Sequence, residues 1–383
     1  MVPFVVAGTR LMDVLPLLEA DHRVQVVFTV APAPGGAMCH GVEEFLRSYG
    51  ALVLPWHQAL QYEFDLVLAA SPVGVDQLHG RVMLIPHGSG AVRTLLRARS
   101  AGPDAEPTHN LDRATLMCRG RLVVSALVLS HDDELAVLRT SCPQALPAAV
   151  VAGDICYDRI VASVPFRAQY RRALSVGETQ KLVTVASTWQ PESTLGRHPE
   201  LLDRLLNALP AKEYRVAAIL HPNIWNVHGE WQVRAWLADS LRAGLLLMPP
   251  EEGWRAALVA SDLLIGDHGS VTRYGAAIGV PVALAACPER EIRSGSVADA
   301  LRRCAPRLRP DKPMAGQIRA MASVHDCSWQ DSIPQRITSR PGEAGLILRR
   351  TMYRLLNLDE PVRALPVSPV PLPRPITGSG EPR

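Results

Sequence analysis

The stretch Ser261-Asp-Leu-Leu-Ile-Gly-Asp267-His-Gly-Ser270-Val-Thr-Arg-Tyr-Gly275-Ala-Ala-Ile-Gly279-Val-Pro-Val282 passes from an apolar strand, through a small-residue loop, into an amphipathic helix and out to a second strand. Leu263 to Ile265 is too short and too uniformly apolar for a half-exposed strand, so it reads as a parallel strand covered on both faces. Gly266-Asp267-His268-Gly269-Ser270 forms the loop, Val271 to Ala277 has helical spacing, and Gly279-Val-Pro281 ends the helix. A strand running straight into a helix brings the free N–H groups and positive dipole end of that helix to the carboxyl edge of the sheet, where an anion binds. Gly269 permits close backbone approach, and Ser270 and Thr272 add hydroxyl donors. The competing use of the same residues is helix capping by Asp267 or Ser270.

The same alternation extends in both directions. Downstream of Tyr157 the apolar runs Leu182 to Ala186, Arg215 to Leu220, Gly244 to Met248 and Pro281 to Ala285 predict further strands, with helices over Phe166 to Leu174, Pro199 to Ala208, Val233 to Arg242 and Gly253 to Ala260. Upstream, Phe4 to Ala7, Val24 to Val30, Leu52 to Pro55, Leu66 to Ala69, Val82 to Pro86 and Ala126 to Ser130 form a first series. At 383 residues the chain exceeds the ~250 to 300 at which a single core stops growing. The expected architecture is therefore α/β, with two doubly wound Rossmann-like domains facing each other across a cleft: residues 1–150, residues 151–357, and a mobile Pro-rich tail at 358–383. Open parallel sheets bind ligands at the carboxyl ends of their strands, so the cleft is the expected site.

Composition narrows the function classes. With 48% hydrophobic and 20% charged residues the chain can bury sizeable cores. A net charge of only +3, with Lys and Arg scattered, argues against a nucleic-acid partner. The seven cysteines are odd in number and widely spaced, with no CxxC pair, and read as reduced cytosolic thiols rather than zinc ligands. Met1 to Arg10 lacks a basic leader and reads as a first buried strand, and no run approaches the roughly 18 apolar residues of a spanning helix. The expectation is a cytoplasmic protein without a transmembrane segment, peripheral membrane contact and oligomeric state being left open.

Three further segments carry candidate chemistry. Leu84-Ile-Pro-His87-Gly88-Ser-Gly90 and Ile219-Leu-His221-Pro222 each put a histidine at a strand end, and Val183-Thr-Val-Ala-Ser187-Thr188-Trp189-Gln190 brings hydroxyls to the same edge. Each also has a structural use: a core histidine, a capping hydroxyl, a buried tryptophan. No GxxxxGK[ST], GxSxG or HExxH pattern occurs, which withdraws the usual support for an ATPase, serine hydrolase or zinc protease. No cofactor or metal is expected.

In this order the four segments resemble the CDP-glycerol glycerophosphotransferase family, the polyol-phosphate polymerases of teichoic acid synthesis, whose catalytic part has the GT-B architecture. His87-Gly88 is similar to the family's Trp-His-Gly, Ser187-Thr188-Trp189 to its Pro-Thr-Trp-Arg, Leu220-His221-Pro222 to its Arg-Pro-His-Pro, and Leu264-Ile-Gly-Asp267-His-Gly-Ser270-Val to its Leu-Ile-Thr-Asp-Tyr-Ser-Ser-Val. Gly153-Asp-Ile-Cys-Tyr157-Asp158 resembles the Gly-x-Pro-x-x-Asp lead-in to the second domain. The resemblance spans about residues 80 to 290. It implies metal-independent transfer of a polyol phosphate from a CDP-linked donor to a hydroxyl acceptor, with release of CMP. His87 would be the general base and His221 would bind and polarise the diphosphate. Ser187, Thr188, Asp267, His268, Gly269, Ser270, Val271 and Thr272 would form the diphosphate pocket.

The family's Tyr-Ser is His268-Gly269 here, and Gln190, Ile219 and Leu220 stand where it has Arg, Arg and Pro. Arg93, Arg255 or Arg273 would have to supply the missing positive charge. Two alternatives are a GT-B nucleotide-sugar glycosyltransferase or epimerase, and a non-catalytic descendant that binds a nucleotide or a protein partner.

Overall fold

The computed structural model describes residues 1–32, 41–90, 110–288, 292–309, 311–322, 328–363 and 366–378. The chain divides into two compact units: Met1–Asp158 with Ile337–Val367, and Arg159–Arg336 with Ser368–Arg383. The stretch 337–357, which the sequence pattern assigns to the second domain, thus returns to the first. Its helix Ala344–Leu356 buries Leu348, Met352 and Tyr353 in the first unit's core.

The strands of the first unit are β1 (Phe28–Thr29), β2 (Val53–Leu54), β3 (Glu63–Ala69), β4 (His79–Leu84), β5 (Met117–Cys118), β6 (Arg121–Leu122), β7 (Ala126–Leu129) and β8 (Ala149–Val151). The main sheet is parallel, ordered β3-β4-β7-β8, with β1-β2 a separate parallel pair and β5-β6 an antiparallel hairpin. Its apolar runs are continuous because both faces are covered. Met83, Ile85, Ala126 and Val128 face the core shared with Leu11 and Leu348, while Val82, Leu84, Leu127 and Leu129 face one containing Leu116 and Leu138.

The first segment corrects the sequence reading. Val5–Val14 is an α-helix rather than a strand, burying Val5, Gly8, Leu11 and Val14. Those positions also satisfy helical spacing, and a short apolar run does not distinguish the two periods by itself.

The second unit has one parallel sheet of β9 (Lys181–Ser187), β10 (Tyr214–Leu220), β11 (Leu246–Leu247), β12 (Leu263–Gly266) and β13 (Val282–Leu284), ordered β11-β10-β9-β12-β13. The chain winds outward from β9 to β11, then crosses back to β12 on the opposite side. The direction of winding therefore reverses between β9 and β12, which defines the topological switch point. All five predicted strands of this unit are present. Predicted helices occur at Arg167–Ala173, Leu201–Ala208, Trp254–Ala260 and Ser270–Ala277, and the fifth is split into Glu230–Trp236 and Ala238–Arg242.

Of the segment 358–383, expected to be a mobile tail, the part up to Val367 belongs to the first unit and Ser368 to residue 378 is tied to the second. Leu247 and Ile376 exchange backbone hydrogen bonds of 3.1 and 2.8 Å beside β11. Val370 is buried, its N–H donates to Ser163 Oγ at 2.9 Å, and its carbonyl accepts from Tyr170 Oη at 2.8 Å. Prolines hold the chain extended before it docks, so ordering it costs little entropy, and every carbonyl remains an acceptor.

The chain leaves the first unit at Asp158, in the helix Ile155–Ser163, and the Asp158 carboxylate accepts from Gly342 N at 2.8 Å and Ala344 N at 3.1 Å. Burial pushes this carboxyl up to about 6 despite the two donors. Between the ordinary carboxylate range near pH ~4 and pH 6 the folded chain therefore binds a proton that the unfolded chain has released. That contribution to stability is fully present below about pH 4 and is lost as pH rises through 6. The melting temperature of the wild type relative to Asp158→Asn is expected to fall across this window, and a difference independent of pH would contradict the assignment.

Candidate functional site at the switch point

The carboxyl edge of the second sheet is organised by one side chain. Asp267, 1% exposed, follows β12 and accepts through Oδ2 from Thr188 N at 2.8 Å, Thr188 Oγ1 at 2.9 Å and Thr194 N at 3.0 Å. Its Oδ1 accepts from Gly269 N at 2.9 Å. The loop after β9 and the loop after β12 are thereby joined across the switch point. Both oxygens of Asp267 are thus engaged by the two loops.

The helix Ser270–Ala277 begins directly after this loop with Gly269 at its N-cap, and no side chain caps it. Asp267 spends Oδ1 on Gly269 N, so neither candidate for capping, Asp267 or Ser270, occupies the helix end. A Cβ on Gly269 would lie 2.8 Å from Thr188 Cγ2 and 3.1 Å from Asp267 Oδ1, so only glycine lets the loops approach this closely. Gly269, Ser270 and Val271 are half-buried. Arg273, 6% exposed, donates from Nε to Gly269 O at 3.3 Å, which sets a fixed positive charge against the loop.

Other sequence candidates lie deeper. Thr272 is fully buried and packs against Gly266. His268 is buried. Ser187 Oγ donates to Thr188 O at 2.9 Å and accepts from Leu195 N at 3.0 Å, which stabilises the turn after β9. Arg255 is paired with Glu252. Arg93 lies outside the described residues.

The two histidines are held in opposite tautomers. His221 directly follows β10 and caps the helix Pro222–His228, with Pro222 at the first helical position, and its Nδ1 accepts from Asn223 N at 3.1 Å. The neutral ring must then carry its proton on Nε2, as a donor. In the first unit, His87 Nδ1 lies 2.8 Å from Ala70 O, and Phe4 meets the imidazole edge-on at 5.4 Å. A carbonyl only accepts, so Nδ1 carries the proton and Nε2 keeps its lone pair. The two rings thus carry their protons on different nitrogens.

Sequence reasoning missed Glu134. This buried carboxylate accepts from Ser130 N at 2.7 Å at the end of β7, and Oε1 lies 3.1 Å from where a Cβ on Gly90 would be. Its signal was an acidic residue in the first turn of a helix directly after a strand. Among the described residues no group of His, Cys, Asp and Glu is arranged to hold a metal ion, and no helix is long and apolar enough to cross a membrane.

Two parallel α/β sheets, the second doubly wound with a switch point of the kind that binds ligands, define a GT-B-like α/β fold. Solved structures agree. The wall teichoic acid polymerase TagF matches with a TM-score of 0.57 at 12% identity over 91% of this chain and 85% of that one. A form of TagF soaked with CDPG gives 0.60 at 12% identity over 90% and 85%. UDP-GlcNAc 2-epimerase from Neisseria meningitidis, bound to UDP-GlcNAc, gives 0.52 at 13% identity over 92% and 96%. At such identities the likeness establishes the fold alone. No protein-family model and no curated protein matches the sequence.

The Asp267 crosslink makes a direct prediction. Asp267→Ala leaves the Thr188, Thr194 and Gly269 N–H groups without their acceptor and should lower the unfolding free energy by about 3 kcal/mol in urea titration, the scale of charge-assisted bonds lost from a buried site. A loss under about 1 kcal/mol would mean that the loops hold without it.

Proposed function

We propose that this protein is a transferase that moves a polyol phosphate from a CDP-activated donor to a hydroxyl acceptor and releases CMP. The observation that carries the reading is the first turn of the helix at Ser270-Val271, which no N-cap side chain covers, at the switch point of a GT-B-like unit. Its N–H groups suit a diphosphate, and Arg273 adds positive charge beside them.

In the proposed step the acceptor hydroxyl oxygen bonds to the phosphorus that carries the polyol. The bond from that phosphorus to the bridging oxygen breaks, and CMP leaves with the electron pair. His87 Nε2 takes the acceptor proton. His221 Nε2–H donates to the diphosphate, and the helix end stabilises the charge that grows on CMP. Ser270 and Thr188 line the same loops. His268 and Thr272 are assigned to shaping the pocket.

The second reading is a nucleotide-sugar glycosyltransferase or epimerase. Gln190 and Ile219, where the resembled family has arginines, favour it because they leave fewer charges for a phosphate-rich donor.

Thermal stabilisation by CMP, CDP-glycerol, CDP-ribitol, UDP, UDP-sugars and GDP tests the donor, since a ligand at one hundred times its dissociation constant adds about 2.7 kcal/mol. The cytidine ligands are expected to give the largest shift, with CMP formed on turnover; a uridine preference with nucleoside diphosphate release would replace the reading by the second one. No shift with any ligand would favour a non-catalytic descendant.

The histidine roles separate kinetically. His87→Ala should lose at least about a hundredfold in kcat while keeping the donor-induced shift, and His221→Ala should weaken that shift. If His87→Ala turns over normally, the base assignment falls.

A further inference from the structure

The first unit has a gap in its sheet. β1 pairs only over Phe28–Thr29, although Val24 to Val30 has the composition of a strand buried on both faces. Val26 is 39% exposed, and Val24, Val27, Phe64, Leu66 and Leu68 are only half-buried. Between the segment 24–29 and β3 lies a cavity of about 330 Å³, with Leu11, Leu15 and Leu18 of the first helical segment among its lining residues. An open slot bounded by two strands that run the same way exposes apolar side chains and ladder groups together.

Met1 and Val2 occupy one end of this slot. The Met1 ammonium donates to Leu68 O at 2.9 Å, towards β3, and Val2 N donates to Thr29 O at 2.9 Å, towards β1. Successive N–H groups that bond to opposite neighbours mark an interior strand, and because the segments 24–29 and 63–68 both run along the slot towards Met1, at Thr29 and Leu68, its register is parallel. Stepping back along that register, the next donors would reach Val27 O and Leu66 O, then Gln25 O and Phe64 O. The ammonium is itself buried, and desolvation pulls it down to about 5. A peptide N–H at the same place would make the same bond without a charge to desolvate.

We propose that this slot seats an additional parallel β-strand between β1 and β3, formed by about five apolar residues joined directly to the Met1 nitrogen, at ~3.3 Å per residue. The covalent attachment follows from the register. The Met1 nitrogen already holds the ladder position next to the slot, so a strand from another chain would have to stop short of an ammonium group. With the strand in place β1, β3 and the segment between them become one continuous sheet. Val24 and Val26 then acquire the cover that their side chains call for.

The test adds residues to the full-length chain and leaves every existing one in place. One extension carries Val-Ile-Val-Leu-Val before Met1, a second carries Thr-Val-Thr-Ile-Thr, and a third of equal length carries Gly-Pro-Gly-Ser-Pro. The two strand-forming extensions should raise the melting temperature by several degrees. They should also slow amide exchange at least tenfold across residues 25–27 and 64–68, while the Gly-Pro extension does neither. The Thr-containing version keeps the test decisive if the more apolar one aggregates. Equal behaviour of all three extensions would overturn the proposal. Protection conferred by the free pentapeptide on the unextended chain, but not by the fused strand, would overturn the covalent seat in favour of a strand from another molecule.

Discussion

The carboxylate of Asp267 is the constraint on which the second unit's working edge depends. In a doubly wound sheet the loops after the two central strands diverge to opposite faces, so something must hold them at the switch point. Here one buried side chain binds the Thr188 backbone and hydroxyl, the Thr194 N–H and the Gly269 N–H. With Asp267 spent on the loops, the helix that follows starts without a side-chain cap and its first turn remains suited to an anion. The same bonds that stabilise the unit thus prepare its ligand edge.

The histidines follow the same rule of control by a neighbouring backbone group. An N–H on Nδ1 of His221 would face the N–H of Asn223, and a lone pair on Nδ1 of His87 would face the carbonyl of Ala70, so each ring has one neutral tautomer that satisfies its surroundings. A donor and an acceptor at Nε2 arise in this way from one residue type.

The two units also differ in how they close their edges. The second unit covers β11 with the Pro-rich segment through the Leu247–Ile376 bridge, and prolines make that segment stiff enough to dock cheaply. The first unit leaves an interior position of its sheet open beside Met1. An uncovered strand edge in the middle of a sheet is the harder of the two to tolerate, because it exposes apolar faces and backbone groups at once.

Much was legible in the amino-acid sequence alone. Continuous apolar runs such as Val183 to Ala186 and Leu263 to Ile265 signal strands covered on both faces, and Pro222 and Gly279 mark boundaries by backbone chemistry that neighbours do not alter. The positions of His87, His221 and the Gly266 to Ser270 loop at strand ends follow from those local rules. What only the tertiary structure decided was everything that depends on distant partners. The run Phe4 to Ala7 satisfies helix and strand periods alike, and packing made it a helix. Asp267 could have capped a helix or reached another loop, and Thr272 could have faced a ligand or the sheet. The helix Ala344–Leu356 and the Pro-rich segment could not be assigned to a unit until their long-range contacts were known. Local periodicity records which face a residue buries, but the identity of the group across that face is set by chain segments far away in sequence, and a side chain's role is fixed only when that partner is in place.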